Sequence, residues 1–266
     1  MSNSTASRWG LRTLGLGYLA LLLLAPLVLI FFKTFEDGLA PPIDAITSPD
    51  GLHALKLTLI MVAVAVPINT IFGIGCALLL VRHRWKGNAV IDAVINLPFA
   101  ISPVVIGLSL FLLYGTDGWF GPALADVGFE VLFSPPGMIL ASIFVSLPFV
   151  VRETVPVLQE IGTDQEQAAS TLGANAWQTF WRITLPAIRW GVAYGIVLTT
   201  ARVLGEFGAV TIVSGSINGK TQTLPLFVEK QFANFQLPGA YGASLVLALL
   251  ALTTLLAMNL LKRKEA

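Results

Sequence analysis

LTLIMVAVAVPINTIFGIGCALLLV, residues 57–81, runs for 25 positions without a charge and stops at Arg82. A helix needs about 20 mostly apolar residues to cross the hydrocarbon core of a bilayer, whereas a barrel strand alternates polar and apolar over about 10. No such alternation is present, so the stretch predicts a membrane-spanning helix. Comparable uncharged runs occupy 13–32, 93–116 and 131–151, and 190–214 is interrupted only by Arg202 and Glu206. The last run, 231–261, reads as a helix from Ala240 onward. The expectation is an all-α membrane protein, a single domain over 1–266. Its six spans fall at about 12–32, 57–81, 93–114, 136–151, 188–213 and 240–261.

The remaining composition agrees. Of 266 residues, 55% are hydrophobic and 12% charged, against about 25% charged in a soluble domain, and the mean hydropathy is +0.79. A soluble domain and a disordered chain are both excluded. A net charge of +1 lacks the basic field of a nucleic-acid binder, so no nucleic-acid partner is expected. Cys76 is the one cysteine; it has no partner for an internal disulfide or a zinc cluster.

Lysine and arginine set the orientation. With the N-terminus inside, Arg8, Arg12, Arg82, Arg84, Lys86, Arg152, Arg182, Arg189, Lys262, Arg263 and Lys264 are cytoplasmic, and only Lys33, Lys56, Lys220 and Lys230 are outside. The outer loops carry Glu36, Asp37, Asp44, Asp50, Asp117, Asp126, Glu130 and Glu229. Both termini are therefore expected in the cytoplasm. The first apolar run exceeds the 7–15 residues of a signal-peptide core and no A-x-A site follows, so it reads as a retained span.

Between spans four and five lies a cytoplasmic segment, 152–187, built from helix signals. Thr163-Asp164-Gln165-Glu166 has the form of a capping box, with Thr163 as N-cap and Glu166 reaching back to it. A short helix over about 164–172 follows, ended by Gly173 in a left-handed conformation. Asn175 caps a second short helix over 176–182 that carries Trp177, Phe180 and Trp181, and Pro186 opens the next span. The product is a helix-turn-helix elbow outside the bilayer, with Ala168, Ala169 and Ser170 leaving room for another surface. The plain alternative is a connector lying on the membrane face, anchored by its tryptophans.

The stretch QAASTLGANAWQTFWRITLP resembles the EAA loop of ABC-importer permease subunits, whose pattern is E-A-A, three residues, G, nine residues, I-x-L-P. Here the match runs through Gln167, Ala168, Ala169, Gly173, Ile183, Leu185 and Pro186 with every spacing kept. The resemblance implies a type I ABC-importer architecture in which the first short helix couples to a separate ATPase subunit. The family glutamate is Gln167 here, and a carboxylate stands one position earlier at Glu166. One residue is about 100° around a helix, so Glu166 does not take its place and reads as a capping residue. Either Gln167 keeps the hydrogen bonds without the charge, or the ATPase partner carries a compensating change.

Arg202 and Glu206 are i,i+4 neighbours near the middle of the fifth span. An arginine there costs about 2.5–3.5 kcal/mol on insertion scales, so it is expected to face protein or a water-filled path. Gly205 and Gly208 let another helix approach. Two roles stay open: a guanidinium aiding an oxyanion across, or a self-neutralising pair that fixes packing at a subunit interface. The surrounding ARVLGEFGAVTIVSGSINGKTQTLPLFVE, 201–229, resembles permeases for sulfate and molybdate, and EFGAVTIVSG with TQTLPLFVE is most similar to the W-type sulfate/thiosulfate branch.

The resemblance implies a bacterial plasma-membrane, multi-pass subunit without a catalytic site or cofactor of its own. Two ABC ATPase subunits would hold ATP and Mg, a T-type permease would complete the pathway, and an extracytoplasmic sulfate-binding protein would deliver the anion. A molybdate/tungstate permease, a stand-alone secondary anion transporter using Arg202, Glu206 and Asp92, and a membrane enzyme are the rival readings. The last lacks H-E-x-x-H, paired intramembrane aspartates and G-x-S-x-G. SGSINGKT, 214–221, imitates a phosphate loop but follows a membrane helix on the outer side, so nucleotide binding by this chain is rejected. His53 and His83 are expected on opposite sides of the membrane and share no metal. Asp92 is expected to pair with Arg82 or Arg84.

Overall fold

The computed structural model describes residues 5–36, 38–83 and 86–263, of which 5–11, 23, 257 and 260–263 are described by their backbone alone. Asp37, Arg84 and Lys264, and the side chains of Arg8, Lys262 and Arg263, therefore lie outside the described residues. Everything described is helix or connection: α1 (Thr5–Phe35), α2 (Ala40–Thr47), α3 (Pro49–Arg82), α4 (Asn88–Ala100), α5 (Pro103–Tyr114), α6 (Gly121–Ala125), α7 (Pro135–Ile161), α8 (Asp164–Thr171), α9 (Ala176–Thr179), α10 (Leu185–Leu204), α11 (Gly208–Ser214), α12 (Leu224–Ala233) and α13 (Leu237–Arg263). A π-helical turn, Phe180–Thr184, joins α9 to α10. Five helices are long and apolar enough to cross a membrane, or six if the bent pair α4 and α5 is one span.

Helices α3, α7 and α10 form the centre. Leu57, Met61 and Ala65 of α3 pack with Met138 of α7, Val203 of α10, Val210 of α11 and Leu226 of α12. Nearer the elbow, Ala77, Leu158, Ile188 and Val192 form a second cluster. Helix association between apolar surfaces in lipid depends on close backbone approach, which small residues permit. Val150 of α7 is clasped in this way. A Cβ placed on Gly73 of α3 would stand 2.6 Å from the Val150 Cβ, and one on Gly195 of α10 would stand 2.7 Å from its Cα. Asn69, fully buried in α3, donates to Ser146 Oγ at 2.7 Å and to the Ile143 carbonyl at 3.1 Å, tying α3 to α7 by a polar contact.

The periphery is different. Helix α1 is exposed along its apolar length and packs on α13. The short α2, opened by Pro41 and Pro42, also lies on α13, where Gly242 admits Pro42.

Three spans differ from the hydropathy reading. The helix expected over 93–114 is two helices bent by 109°, because Ser102 precedes Pro103 and takes an extended conformation (φ −60°, ψ 137°). The helix of the span expected over 136–151 continues past it through Arg152, whose Nε donates to Asn96 Oδ1 at 2.7 Å, and ends only at Gly162 with φ +64°. The segment taken as a span from 188 to 213 starts earlier, as a helical rod over Ala176–Leu204, and breaks at 205–207 before α11.

Candidate coupling elbow and intramembrane ion pair

Helix α8 follows α7 directly and carries one buried residue, Ala169. Two glycines at positive φ bracket it, Gly162 (φ +64°) and Gly173 (φ +85°), each with open space around the position of a Cβ. The Ala174 N–H reaches back to the Ala169 carbonyl at 3.0 Å, closing the turn in the manner of a helix ended by a left-handed glycine. The capping box expected at its start does not form: Thr163 makes no side-chain cap bond, and Gln167 Nε2 instead donates to Thr163 Oγ1 at 3.0 Å.

Glu166 is taken away from the cap by tertiary contacts. Its carboxylate accepts from Arg82 Nη2 of α3 (3.2 Å to Oε1) and from the Thr184 hydroxyl (2.8 Å), with Arg82 Nε in ionic contact 3.0 Å from Oε2. The same guanidinium donates to the Leu158 carbonyl at 3.2 Å and the Gly162 carbonyl at 2.7 Å, covering otherwise unpaired groups at the C-terminal end of α7. Arg82 is thus turned to Glu166 rather than to Asp92. The sequence offered one hint of this node, the placement of Arg82 at the exact end of an uncharged run.

The second elbow helix is capped as the spacing predicts: Gln178 N–H donates to Asn175 Oδ1 (2.9 Å) and Asn175 N–H to Gln178 Oε1 (3.0 Å). It does not stop at Arg182, however. The chain passes through the π turn into α10, and this wider turn lies immediately before Pro186, which has no N–H to offer an ordinary helical ladder. Of the motif residues, Gln167, Ala168, Gly173 and Pro186 are exposed, Ile183 is half-buried, Leu185 packs against the cluster around Leu158, and Ala169 points inward. Leu172 (89% exposed) and Trp177 (70%) project from the elbow, and Trp177 stacks edge-on with Trp181 at 5.4 Å.

The intramembrane pair is formed, in a setting the sequence did not predict. Arg202 lies in the last turn of α10, and Glu206 lies in the break beyond it. Arg202 Nη1 meets Glu206 Oε2 at 2.7 Å, and Glu206 Oε1 accepts from the Ala209 N–H at 3.0 Å. The carboxylate therefore neutralises the arginine and caps α11. Its side chain is 1% exposed, while that of Arg202 is 29% exposed. The break packs against the other one: a Cβ on Gly208 would lie 3.1 Å from Pro103 Cβ, and one on Gly107 would lie 2.7 Å from the Ala209 carbonyl oxygen.

The loop carrying SGSINGKT folds on itself, with Thr221 Oγ1 donating to the Ser214 carbonyl at 2.6 Å and Asn218 Nδ2 to Asp50 Oδ2 at 3.2 Å. His53 Nε2 lies 3.1 Å from the Lys220 carbonyl, at the end of α3 opposite His83. Among the described residues no cluster of His, Cys, Asp and Glu has the makings of a metal site.

A bundle of membrane-length helices, broken at two packed points and carrying a capped elbow at one end, defines a polytopic membrane protein. The profile described as "Binding-protein-dependent transport system inner membrane component" matches residues 69–265, and the chain belongs to that family of inner-membrane proteins. It is 51% identical over 254 residues to the sulfate transport system permease protein CysW of Synechocystis sp., spanning 96% of this chain and 92% of the relative. Identity to CysW of Escherichia coli K12 is 44%, over 96% and 88% of the two chains, whereas CysT of that organism shares 36% over 95% and 92%. The resemblance to the W-type branch is thereby borne out. The fold is that of a solved bacterial ABC transporter involved in import of the acidic polysaccharide alginate (TM-score 0.80, 19% identity, 96% of this chain and 94% of the other).

Proposed function

We propose that the chain is a transmembrane subunit of an ATP-driven ABC importer for sulfate and thiosulfate. The observation that carries this reading is the near full-length identity to sulfate permease subunits in a chain whose elbow is folded and exposed at one end of the bundle. Both termini lie in the cytoplasm with the elbow, following the bias of basic residues. The single domain pairs with a T-type permease subunit, and the two line the pathway. An extracytoplasmic sulfate-binding protein supplies the anion. Helix α8, through exposed Gln167 and Ala168 and the turn at Gly173, docks on an ABC ATPase subunit while Ala169 seats the helix on its own chain, and Ile183, Leu185 and Pro186 carry its displacement into α10. ATP and Mg are held by the two ATPase subunits, and this chain has no catalytic site of its own. Closure of the ATPase pair moves the elbows and converts an inward-facing cavity into an outward-facing one. Arg202, fixed by Glu206, faces the pathway or the subunit interface rather than lipid.

The test is reconstitution of the chain with a T-type permease, its ATPases and a sulfate-binding protein in lipid vesicles. Radiolabelled sulfate should accumulate only with ATP, and thiosulfate should compete. Absence of ATP-dependent sulfate uptake, or uptake of molybdate in its place, overturns the reading.

A further inference from the structure

Helix α8 is poorly held by its own packing. It has eight residues, buries only Ala169, and is joined to α7 through Gly162 and to α9 through Gly173, both at positive φ with no side chain to stiffen them. A helix this short gains little from its own hydrogen bonds. What fastens it is one charged node. The Arg82 side chain is 13% exposed and that of Glu166 21%, and their contact, a hydrogen bond from Nη2 to Oε1 with Nε in ionic contact with Oε2, is charge-assisted and stronger than a neutral one. Arg82 terminates the longest helix of the bundle, and it also grips the carbonyls of Leu158 and Gly162 at the end of α7. Thr184, 4% exposed, brings the foot of α10 to the same carboxylate. Four segments, α3, α7, α8 and the π turn, thus converge on a single ion pair.

We propose that Arg82 and Glu166 form a strut that makes α8 move as one body with the cytoplasmic ends of α3 and α7. They are positioning residues for energy coupling: they touch neither substrate nor nucleotide. This inference rests on the importer reading above. Without the strut, the joints at Gly162 and Gly173 absorb a displacement of α8, and ATP is hydrolysed without a matching movement of the pathway. Mutations that contact no ligand change the coupling between two sites by about 2- to 30-fold. Such a role separates from simple stability because it alters a ratio, anions carried per ATP, and not only the amount of folded complex.

The experiment measures that ratio in the full reconstituted complex for wild type, Glu166→Ala, Glu166→Gln and the exchange Arg82→Glu with Glu166→Arg. Glu166→Ala should lower sulfate carried per ATP about tenfold while ATP hydrolysis by the assembled complex persists. The exchanged pair should recover a substantial part of the loss. Glu166→Gln keeps the side-chain volume and the Thr184 bond, so it assembles even if the alanine variant does not, and it should also lower the ratio. A ratio within about twofold of wild type in the assembled Glu166 variants overturns the strut. Failure of the wild-type complex itself to carry sulfate with ATP overturns the importer reading instead.

Discussion

Glu206 does two things with one carboxylate, and they can be separated. Oε2 pairs with Arg202, and Oε1 accepts the Ala209 N–H at the start of α11. Removing one partner of a buried pair leaves the other charge uncompensated, at a cost of about 3–5 kcal/mol. Glu206→Ala should therefore lower the thermal midpoint of the detergent-solubilised protein sharply. Arg202→Ala should also be costly, because it leaves a carboxylate that is 1% exposed with the Ala209 N–H as its remaining partner. The double variant should be more stable than the sum of the single effects predicts, and strictly additive losses would show that the two charges are not coupled. The pair itself was legible from spacing, since i,i+4 residues share a helical face. Its capping role was not, because the spacing assumed an unbroken helix and Glu206 lies past the end of one. Glu166 illustrates the same limit. The local pattern Thr163 to Glu166 reads as a capping box, but the carboxylate is taken by Arg82, distant in sequence, and no local pattern reports a contact of that range.

Among elements, α8 is the one whose placement depends most on backbone conformation. Gly173 has φ +85°, and nothing lies within 4 Å of where its Cβ would be, so a substitution there acts through the backbone alone. A left-handed β-branched residue costs about 1–2 kcal/mol, whereas asparagine enters that region readily. Gly173→Val should reduce ATP-dependent uptake severalfold and Gly173→Asn should stay near wild type. Equal behaviour of the two variants would show that the turn does not set the elbow. The elbow was readable because its punctuation is local: Gly173 ends α8, and Asn175 and Gln178 cap α9. The broken spans were only half readable. Ser102-Pro103 is a visible helix start, but both sides of it are apolar, and a hydropathy window passes over a bend that carries no charge. The π turn before Pro186 leaves still less trace, since hydropathy does not distinguish a five-residue step in the ladder from a four-residue one.

Across the whole molecule, the fold has two chemically different ends. Helix α3 alone has 34 residues, about 51 Å at 1.5 Å per residue, so it projects beyond a hydrocarbon core of about 30 Å. One of its ends meets the loop of Asn218 and Lys220, and the other meets the elbow. Arg82, Arg152, Arg182 and Arg189 fall toward the elbow, while Asp117, Asp126 and Glu130 occupy the connection between α5 and α7. Positive residues are retained on the cytoplasmic side during insertion, and the proposed orientation, with the elbow on the side of ATP and the acidic connection outside, follows that rule. The orientation is open to a direct check in a Cys76→Ser background. Trp119 is 85% exposed, and Glu160 is exposed in the last turn of α7. A membrane-impermeant maleimide added to spheroplasts should label Trp119→Cys at once and Glu160→Cys only after permeabilisation. The reverse pattern would put α8 on the side without ATP, and then neither the coupling elbow nor the strut could serve an ATPase.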